Sequence, residues 1–290
     1  MRPGSKTITD AQTTFSAQLT EAGFENGLRE VQWLIQELLE IPRIEWITRP
    51  DAFLSSAQMS ILKRAVERRL AREPLQYILG SASFYGREFK VDSRVLIPRP
   101  ETEMLVEWAI VALGRTAGRN VLDLGTGSGC IPISLKLEVP DSACVGLDIS
   151  NDALTIARQN ALNLGADMLF AQADMLADDW LKNWESSIDV LLSNPPYIAN
   201  DERDSLDSQV KDYEPGIALF SGDDPLLFYR ALSGYASRLL TPTGVIGVEV
   251  HADHGEDVAE LFRSAGLNGV ELRKDLAHKN RMVVAKKGSI

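Results

Sequence analysis

The feature that most constrains the fold is a glycine-rich turn that joins a strand-like apolar run to a helix-like apolar run. The strand-like run covers residues 120–124, and the helix-like run covers residues 130–135. Glycine accepts positive φ angles and, because it has no Cβ, lets a ligand approach the backbone closely. Pro132 falls in the first turn of the expected helix, where its missing N–H costs little. The residues of the turn are Gly125, Thr126, Gly127, Ser128 and Gly129.

A second strand candidate, residues 143–148, ends in an acid, Asp148. It lies about 20 residues after the glycines, where a nucleotide-binding β-α-β unit keeps a carboxylate for ribose hydroxyls. The glycines are spaced G-x-G-x-G, and Cys130 stands where a pyrophosphate-binding loop has its third glycine. The pattern therefore favours an adenosine ligand without phosphates, such as S-adenosylmethionine (SAM). A tight turn in an unrelated α/β protein is the open alternative.

The sequence Asn194-Pro195-Pro196-Tyr197 directly follows another apolar run, residues 188–193. Two prolines fix φ near −65° and lack N–H groups, and they push the preceding Asn out of helical space. We expect a stiff turn in which the Asn194 side-chain oxygen and the Pro195 carbonyl each accept one N–H of a planar –NH₂ group. Tyr197 would cover one face of that group, and its other face would be open to an electrophile. The alternative is an ordinary rigid turn.

From about residue 100 onward, strand-like and helix-like runs alternate, which predicts an α/β fold with a parallel sheet and helices on both faces. The last two strand candidates are too close for a crossover helix, so we expect them to pair antiparallel. The strand candidates are residues 120–124, 143–148, 168–172, 188–193, 244–250, 269–273 and 281–286.

The region before residue 74 has helical periodicity. Thr9 or Asp10 is the expected cap of the first helix, and Ser55 with Gln58 has the pattern of a capping box for a later one. Pro74 is expected to end the helices. An alternating pattern over residues 84–96 then predicts a β-hairpin.

Together, these motifs resemble the class I SAM-dependent methyltransferases that act on a planar nitrogen. Further stretches are similar to the peptide chain release factor N5-glutamine methyltransferase family. The sharpest discriminator is Ile-Pro-Arg-Pro-Glu-Thr-Glu at residues 97–103, because related ribosomal-protein glutamine methyltransferases differ after their Pro-Arg. The resemblance runs from about residue 25 to the C-terminus. The similar stretches are residues 74–80, 84–91, 95–103, 213–215 and 218–219.

The resemblance implies methyl transfer from SAM to the side-chain amide nitrogen (N5) of the glutamine in the Gly-Gly-Gln loop of peptide chain release factors. An amide nitrogen is a poor nucleophile, so we expect catalysis by positioning and hydrogen bonding. The expected catalytic residues are Asn194, Pro195 and Tyr197. The expected cofactor-binding residues are Gly125, Thr126, Gly127, Ser128, Gly129, Asp148, Asp174, Met175 and Asn194. The expected substrate-binding residues are Asn194, Pro195, Pro196, Tyr197, Arg99 and Glu101.

Two pairs of residues within these sets have a different basis from the rest. Asp174 and Met175 are carried over from the resemblance, which places adenine contacts after the third strand. Arg99 and Glu101 are expected to shape the acceptor pocket, and an ordinary helix start after a proline, where carboxylates are favourable, is the open alternative.

The resemblance also implies the architecture. The expected fold is a seven-stranded, mostly parallel Rossmann-like methyltransferase sheet with an antiparallel last strand. Residues 1–80 would form a small helical domain that docks the substrate, residues 81–100 a β-hairpin linker, and residues 101–290 the SAM-dependent methyltransferase domain.

Composition limits the partners. The formal net charge of −11 argues against direct nucleic-acid binding, which needs lysine and arginine to displace counterions. No apolar run approaches the length of a membrane span, and the N-terminal residues 1–6 lack the apolar stretch expected of a signal peptide. Cys130 and Cys144 are expected to be reduced core thiols. His251 and His254 without a further firm ligand favour a loop over a metal site. We expect a cytoplasmic monomer without a metal.

Alternatives stay open at this point. The –NH₂ acceptor could belong to a ribosomal-protein glutamine or to a DNA adenine, which would need base flipping. A non-enzymatic alternative is a binding module that docks on the translation machinery and has an inactive methyl-transfer site.

Overall fold

The computed structural model describes residues 6–114 and 118–288. The helices are α1 (Ile8–Glu21), α2 (Gly27–Leu38), α3 (Arg43–Thr48), α4 (Ser56–Leu70), α5 (Leu75–Leu79), α6 (Glu103–Leu113), α7 (Cys130–Glu138), α8 (Asn151–Leu164), α9 (Ser208–Lys211), α10 (Gly216–Leu219), α11 (Leu227–Leu239) and α12 (Gly255–Ser264). The strands are β1 (Ser81–Phe84), β2 (Arg87–Lys90), β3 (Asn120–Leu124), β4 (Ala143–Asp148), β5 (Leu169–Gln172), β6 (Ile188–Ser193), β7 (Ile198–Ala199), β8 (Phe220–Gly222), β9 (Leu240–Glu249), β10 (Asn268–Lys274) and β11 (Asn280–Lys286).

The described residues fall into two compact units. The first contains the helices up to Gly80 and the segment Ser208–Tyr213, and the second contains Ser81–Asp207 and the chain from Glu214 onward. In the helical unit, the apolar faces of α1, α2 and α4 form one core that includes the fully buried Leu34 and Leu62. Burying such a leucine contributes about 1.5–3 kcal/mol.

Of three predictions on where helices begin or end in the helical unit, one is confirmed and two differ from the structure. Ser55 and Gln58 form the predicted capping box of α4. The first helix is capped by Thr7, because its hydroxyl accepts from the Asp10 N–H and the Asp10 carboxylate accepts from the Thr7 N–H. The prediction that Pro74 ends the helices was wrong: α5 begins directly after it, since a proline before the first helical residue removes no helical hydrogen bond.

The second unit contains the predicted α/β sheet of seven strands, in the order β10-β11-β9-β6-β3-β4-β5. The pairs between β9, β6, β3, β4 and β5 are parallel, and β11 runs antiparallel to both of its neighbours, β9 and β10. The mostly parallel sheet with an antiparallel last strand is therefore confirmed.

Apolar residues on both faces of the sheet explain why helices cover it on two sides. Along β3, Leu122 and Leu124 belong to one core, while Val121 belongs to the core on the opposite face. Along β6, Leu191 and Leu192 divide in the same way. This alternation follows from the two-residue period of a strand.

The predicted hairpin is present, and its first strand begins at Ser81, where the expected linker begins and three residues before the alternating pattern at residue 84. Its turn uses Tyr85 at φ 49° and Gly86 at φ 70°. The Tyr85 N–H donates to the Glu103 carboxylate at 2.8 Å, which anchors the strained turn to the first turn of α6. A small parallel pair, β7 and β8, was not predicted. Within the described ranges, no helix combines the length and apolarity that crossing a membrane requires.

Candidate active site

The glycine turn and the Asn194 turn lie side by side because they follow neighbouring strands. Leu124, at the end of β3, pairs in register with Ser193, at the end of β6. The Ser193 hydroxyl donates to the Leu124 carbonyl at 2.7 Å. The strand order reverses between β3 and β6, and open α/β sheets bind ligands at such a switch point, beyond the carboxyl ends of the strands.

The end of β4 holds the glycine turn in place. The Leu147 carbonyl accepts from the N–H groups of Gly125 and Thr126, each at 2.9 Å. One Asp148 oxygen accepts from the Gly127 N–H at 2.8 Å, and the other accepts from the Ser150 N–H at 2.9 Å. Burial raises the pKa of Asp148, and these two backbone donors oppose that rise. The carboxylate therefore shapes the loop and retains further lone pairs for a ligand.

The three glycines of the turn have different surroundings. Gly127 has φ 54°, and a Cβ there would meet no atom within 4 Å, so its backbone faces open space. A Cβ on Gly125 would lie 3.3 Å from the Met175 methyl carbon. Gly129 has φ 79°, and its Cβ would lie 2.8 Å from the Ile133 Cδ1 atom. Gly129 is thus constrained by the packing of α7, whereas Gly127 leaves room for a ligand.

A cavity of about 220 Å³ opens at these strand ends. It brings together seven of the residues singled out in the sequence. They are Gly125, Gly127, Asp148, Asp174, Met175, Asn194 and Pro196. Apolar residues that sequence reasoning missed complete the wall, among them Trp180, Ile217 and Phe228. Seven other singled-out residues lie outside the wall: Thr126, Ser128, Gly129, Pro195, Tyr197, Arg99 and Glu101.

Asp174 and Met175 follow β5 and are held by side chains from elsewhere. The Asp174 carboxylate accepts from the Leu176 N–H at 2.8 Å, and its carbonyl accepts from the Trp180 indole at 2.9 Å. Met175 is 8% exposed, and its carbonyl accepts from the Tyr235 hydroxyl at 2.7 Å. A fixed thioether next to Gly125 gives the cavity one apolar wall.

The Asn194 turn is joined to Thr102, which belongs to the 97–103 stretch but was given no role there, and to Glu249, which the sequence analysis did not single out. The Asn194 Nδ2 group donates to the Thr102 hydroxyl at 3.3 Å, and the Tyr197 hydroxyl donates to a Glu249 oxygen at 3.4 Å. Burial raises the pKa of Tyr197, so its hydroxyl stays protonated. Glu249 is the last residue of β9, which pairs with β6, the strand that leads into Asn194. An acidic residue at the end of a predicted strand was the sequence feature that could have identified Glu249.

Arg99 and Glu101 lie in the segment that leads into α6. The Arg99 guanidinium forms an ion pair with Glu214, whose side chain is 2% exposed. Glu214 also accepts from the Ile97 N–H at 3.2 Å. Glu101 is exposed in the short 3₁₀ turn Pro100–Thr102. Arg99 therefore has a structural partner, and a direct contact of either residue with a substrate stays a prediction.

His251 and His254 lie in the turn between β9 and α12. Their ring centroids are 5.7 Å apart, and His254 Nδ1 lies 3.2 Å from an Asp257 oxygen. In the part of the chain that the structure describes, no group of three or more His, Cys, Asp or Glu residues could hold a metal ion. Cys130 and Cys144 are free and buried, and burial raises the pKa of Cys130 to about 12.

Asp123, beneath the glycine turn, gives a testable pH dependence. Its side chain is fully buried, and burial raises its pKa from 3.8 to about 8. A raised pKa means that the folded state holds the Asp123 proton more tightly than the unfolded state does. The protonated side chain therefore contributes fully to the free energy of unfolding below pH 3.8, and this contribution is lost as the pH rises to about 8. We expect the free energy of unfolding to fall less between pH 6 and about 8 in Asp123→Asn than in the wild type. Urea denaturation across this range measures it, with the exposed Asp152→Asn as control; equal slopes in wild type and Asp123→Asn would contradict it.

Two family models match parts of the chain, and curated relatives match it over nearly its whole length. Residues 10–80 match the family model of the PrmC N-terminal domain, and residues 101–209 match that of the methyltransferase small domain. The release factor glutamine methyltransferase of Caulobacter vibrioides is 36% identical over 285 residues, covering 98% of both chains. The enzyme of the same name from Bacteroides thetaiotaomicron is 37% identical over 250 residues, covering 86% of this chain and 88% of the relative.

Solved structures share the fold. The human Mettl16 catalytic domain, solved with an RNA hairpin of the MAT2A 3′UTR, has a TM-score of 0.57 and 15% identity, and the match covers 83% of this chain and 86% of that one. A methyltransferase from Pyrococcus furiosus has a TM-score of 0.52 and 14% identity, covering 81% of this chain and all of that one. Near-full-length identity above 30% to the curated relatives decides the family. The chain belongs to the release factor glutamine methyltransferase family.

Proposed function

We propose that this protein transfers a methyl group from SAM to the side-chain amide nitrogen, N5, of the glutamine in the Gly-Gly-Gln loop of peptide chain release factors. The observation that carries the proposal is that the two turns line the same cavity, Gly125 and Gly127 from one turn and Asn194 and Pro196 from the other. A ligand on the glycine turn and an amide held by Asn194 would therefore meet in one cavity. The names of the relatives favour this substrate over a ribosomal-protein glutamine or a DNA adenine.

The residues around the cavity suit SAM. Gly127 offers open backbone, Asp148 offers a carboxylate beside it, and Met175 offers an apolar surface. We propose that Asp148 accepts from the ribose hydroxyls, that the glycine turn binds the methionine part, and that Asp174 and Met175 contact the adenine. SAM supplies an electrophilic methyl group on a positively charged sulfur.

The chain's own contribution is to bind and orient the acceptor nitrogen. We propose that the Asn194 side-chain oxygen and the Pro195 carbonyl accept the two N–H bonds of the glutamine amide. Fixed acceptors hold the nitrogen in line for attack and stabilise the positive charge that develops on it. Tyr197, tied to Glu249, would keep the turn rigid and place an aromatic ring beside that charge. Arg99 and Glu101 would shape the entrance for the substrate.

A direct experiment is mass spectrometry of a release factor after incubation with the protein and SAM. The expected result is a single added methyl group on the loop glutamine. Methylation of another substrate with no change in the release factor would refute the assignment. No heat of SAM binding in calorimetry would instead favour the binding module.

Asp148→Ala is expected to weaken SAM binding by about 10- to 100-fold, because it removes a charged acceptor that is held next to Gly127. Calorimetric titration with SAM measures the change. The matched control is Asp152→Ala, an exposed acid in the first turn of α8, which should bind SAM like the wild type. Equal affinities for all three proteins would remove Asp148 from the cofactor site.

We propose that the helical unit docks the release factor. Its groove of about 580 Å³ is lined by Trp33, Trp46 and Arg29 among others, and the Arg29 guanidinium lies 4.8 Å from the centre of the Trp33 ring. Aromatic and arginine side chains are enriched at protein interfaces. Hydrogen exchange of the full chain should show protection in α2 when a release factor is bound.

We further propose that the protein works as a cytoplasmic monomer without direct contact to nucleic acid or membrane.

A further inference from the structure

We infer that Thr102 and Glu249 are positioning residues that determine which way the Asn194 carboxamide faces. The inference rests on the proposed function, because it assigns the part of the site that presents an oxygen to the acceptor –NH₂ group. Thr102 ends the segment that leads into α6, and Glu249 ends β9. Neither belongs to the glycine turn or to the Asn-Pro-Pro-Tyr turn.

The three side chains form a hydrogen-bonded relay. Thr102 and Glu249 are both buried, at 2% exposure. The Thr102 hydroxyl donates to a Glu249 oxygen at 2.5 Å, and the Asn194 Nδ2 group donates to the Thr102 oxygen at 3.3 Å. A hydroxyl has a single proton to donate. Because Thr102 gives that proton to Glu249, it can only accept from Asn194.

This polarity has a consequence for the site. The oxygen and nitrogen of a carboxamide have nearly the same shape, so only hydrogen bonds decide which of them faces a given neighbour. With Nδ2 directed at Thr102, the Asn194 Oδ1 atom is left for another donor. A glutamine –NH₂ group is such a donor. In the reversed orientation, Asn194 would place an N–H group against the substrate's N–H groups, and both would lose a hydrogen bond.

While Glu249 is ionised, its side-chain oxygens can only accept hydrogen bonds, which keeps the relay in this direction. Tyr197 donates to its second oxygen, and the Tyr229 hydroxyl donates to its backbone carbonyl at 2.9 Å. Burial raises the pKa of Glu249, Glu101 adds to the rise, and Thr102, Arg281 and Tyr197 oppose it. A further titratable side chain, His251, lies two residues after Glu249 in the sequence, and its ring centroid is 5.9 Å from that of Tyr197. A protonated Glu249 would donate to Thr102, and Thr102 would then donate to the Asn194 oxygen, which turns the carboxamide over.

The central test compares Thr102→Val, which keeps the shape and loses the hydroxyl, with Thr102→Ser, which keeps the hydroxyl. With whichever nitrogen substrate the wild type methylates, Thr102→Val should lower kcat by at least about tenfold. Thr102→Ser should stay within about threefold of the wild type, and both should bind SAM with unchanged affinity. A kcat of Thr102→Val near the wild-type value, or a loss of SAM affinity that accounts for its slower rate, overturns the inference.

The second test does not depend on Thr102→Val folding. The wild-type kcat should fall on the acid side as Glu249 takes up a proton, and Glu249→Gln, which cannot titrate, should lack this acid limb. A wild type without an acid limb, or an unchanged limb in Glu249→Gln, overturns the inference.

A third readout separates this inference from the proposed function. If the wild type leaves release factors unmethylated, the proposed function fails, but the relay is still testable by NMR. The Asn194 side-chain amide resonance, assigned by its loss in Asn194→Ala, should shift strongly in Thr102→Val and little in Thr102→Ser. Equal spectra for the two variants overturn the relay.

Discussion

Replacing Asn194 with alanine is expected to lower kcat by about 1,000-fold while SAM affinity stays within about twofold of the wild type. The physical reason is that the acceptor nitrogen is a weak nucleophile, so its rate depends on how firmly it is oriented. The Asn194 side chain is already held by Thr102 before any substrate arrives. Its loss removes both the hydrogen bond to the acceptor and the preorganisation of that bond.

The measurement combines methyl incorporation into a release factor with calorimetric titration of SAM. Asn200→Ala is the matched control, since Asn200 is an exposed asparagine nearby whose side chain donates to Asp223 at 2.9 Å. That control should keep kcat within about threefold of the wild type. Full activity in Asn194→Ala would refute the central role of this side chain. A parallel loss of SAM binding would move Asn194 from the acceptor side of the site to the cofactor side.

Gly129→Ala is expected to lower the free energy of unfolding of the sheet-containing unit by about 2–5 kcal/mol. Two costs add. The backbone at residue 129 has φ 79°, which a residue with a Cβ adopts at a cost of about 1–2 kcal/mol. The new Cβ would also lie 2.8 Å from Ile133 and 3.2 Å from Ala157, and these side chains belong to helices packed on the sheet. Overpacking of such a core costs about 1–3 kcal/mol.

Gly86→Ala separates the two costs. Gly86 has φ 70° in the hairpin turn, and its Cβ would meet nothing within 4 Å, so only the backbone cost of about 1–2 kcal/mol applies. Differential scanning calorimetry of both variants measures the difference between them. Equal losses of stability would show that α7 and α8 relax around the extra methyl group. A normal stability with lost SAM affinity in Gly129→Ala would instead give Gly129 a direct role in cofactor binding.

The strands of the sheet were predictable because apolar periodicity is a local property. The predicted segments 143–148 and 188–193 coincide with β4 and β6. The predicted segment 244–250 begins four residues later than β9 does, because Pro242 disfavours a strand interior, whereas both Pro242 and Gly244 lie within β9. The structure accommodates them with an irregularity in the register between β6 and β9. Only the neighbouring strand showed that β9 continues across them, because Leu240 pairs with Ile188 and Val245 pairs with Val190.

The candidate site was only partly predictable. Gly127, Asp148 and Asn194 were predicted because each lies at or just after the end of a recognisable strand. Glycine leaves the backbone open to a ligand, and carboxylate and carboxamide groups form hydrogen bonds with one. The apolar wall, including Trp180 and Phe228, gave no such signal, because an apolar residue in a connecting segment has no pattern that separates a cavity lining from ordinary core.

The order of the amino acids alone determined most strands of the main sheet, its antiparallel last strand and the two turns, since these depend on backbone preferences and hydrophobic spacing within short segments. Only the tertiary structure decided that Thr102 lies against Asn194, 92 residues away, and against Glu249, 147 residues away. The physical reason is that a hydrogen bond depends on distance and direction in space, and residues this far apart meet only after the strands have been ordered into one sheet.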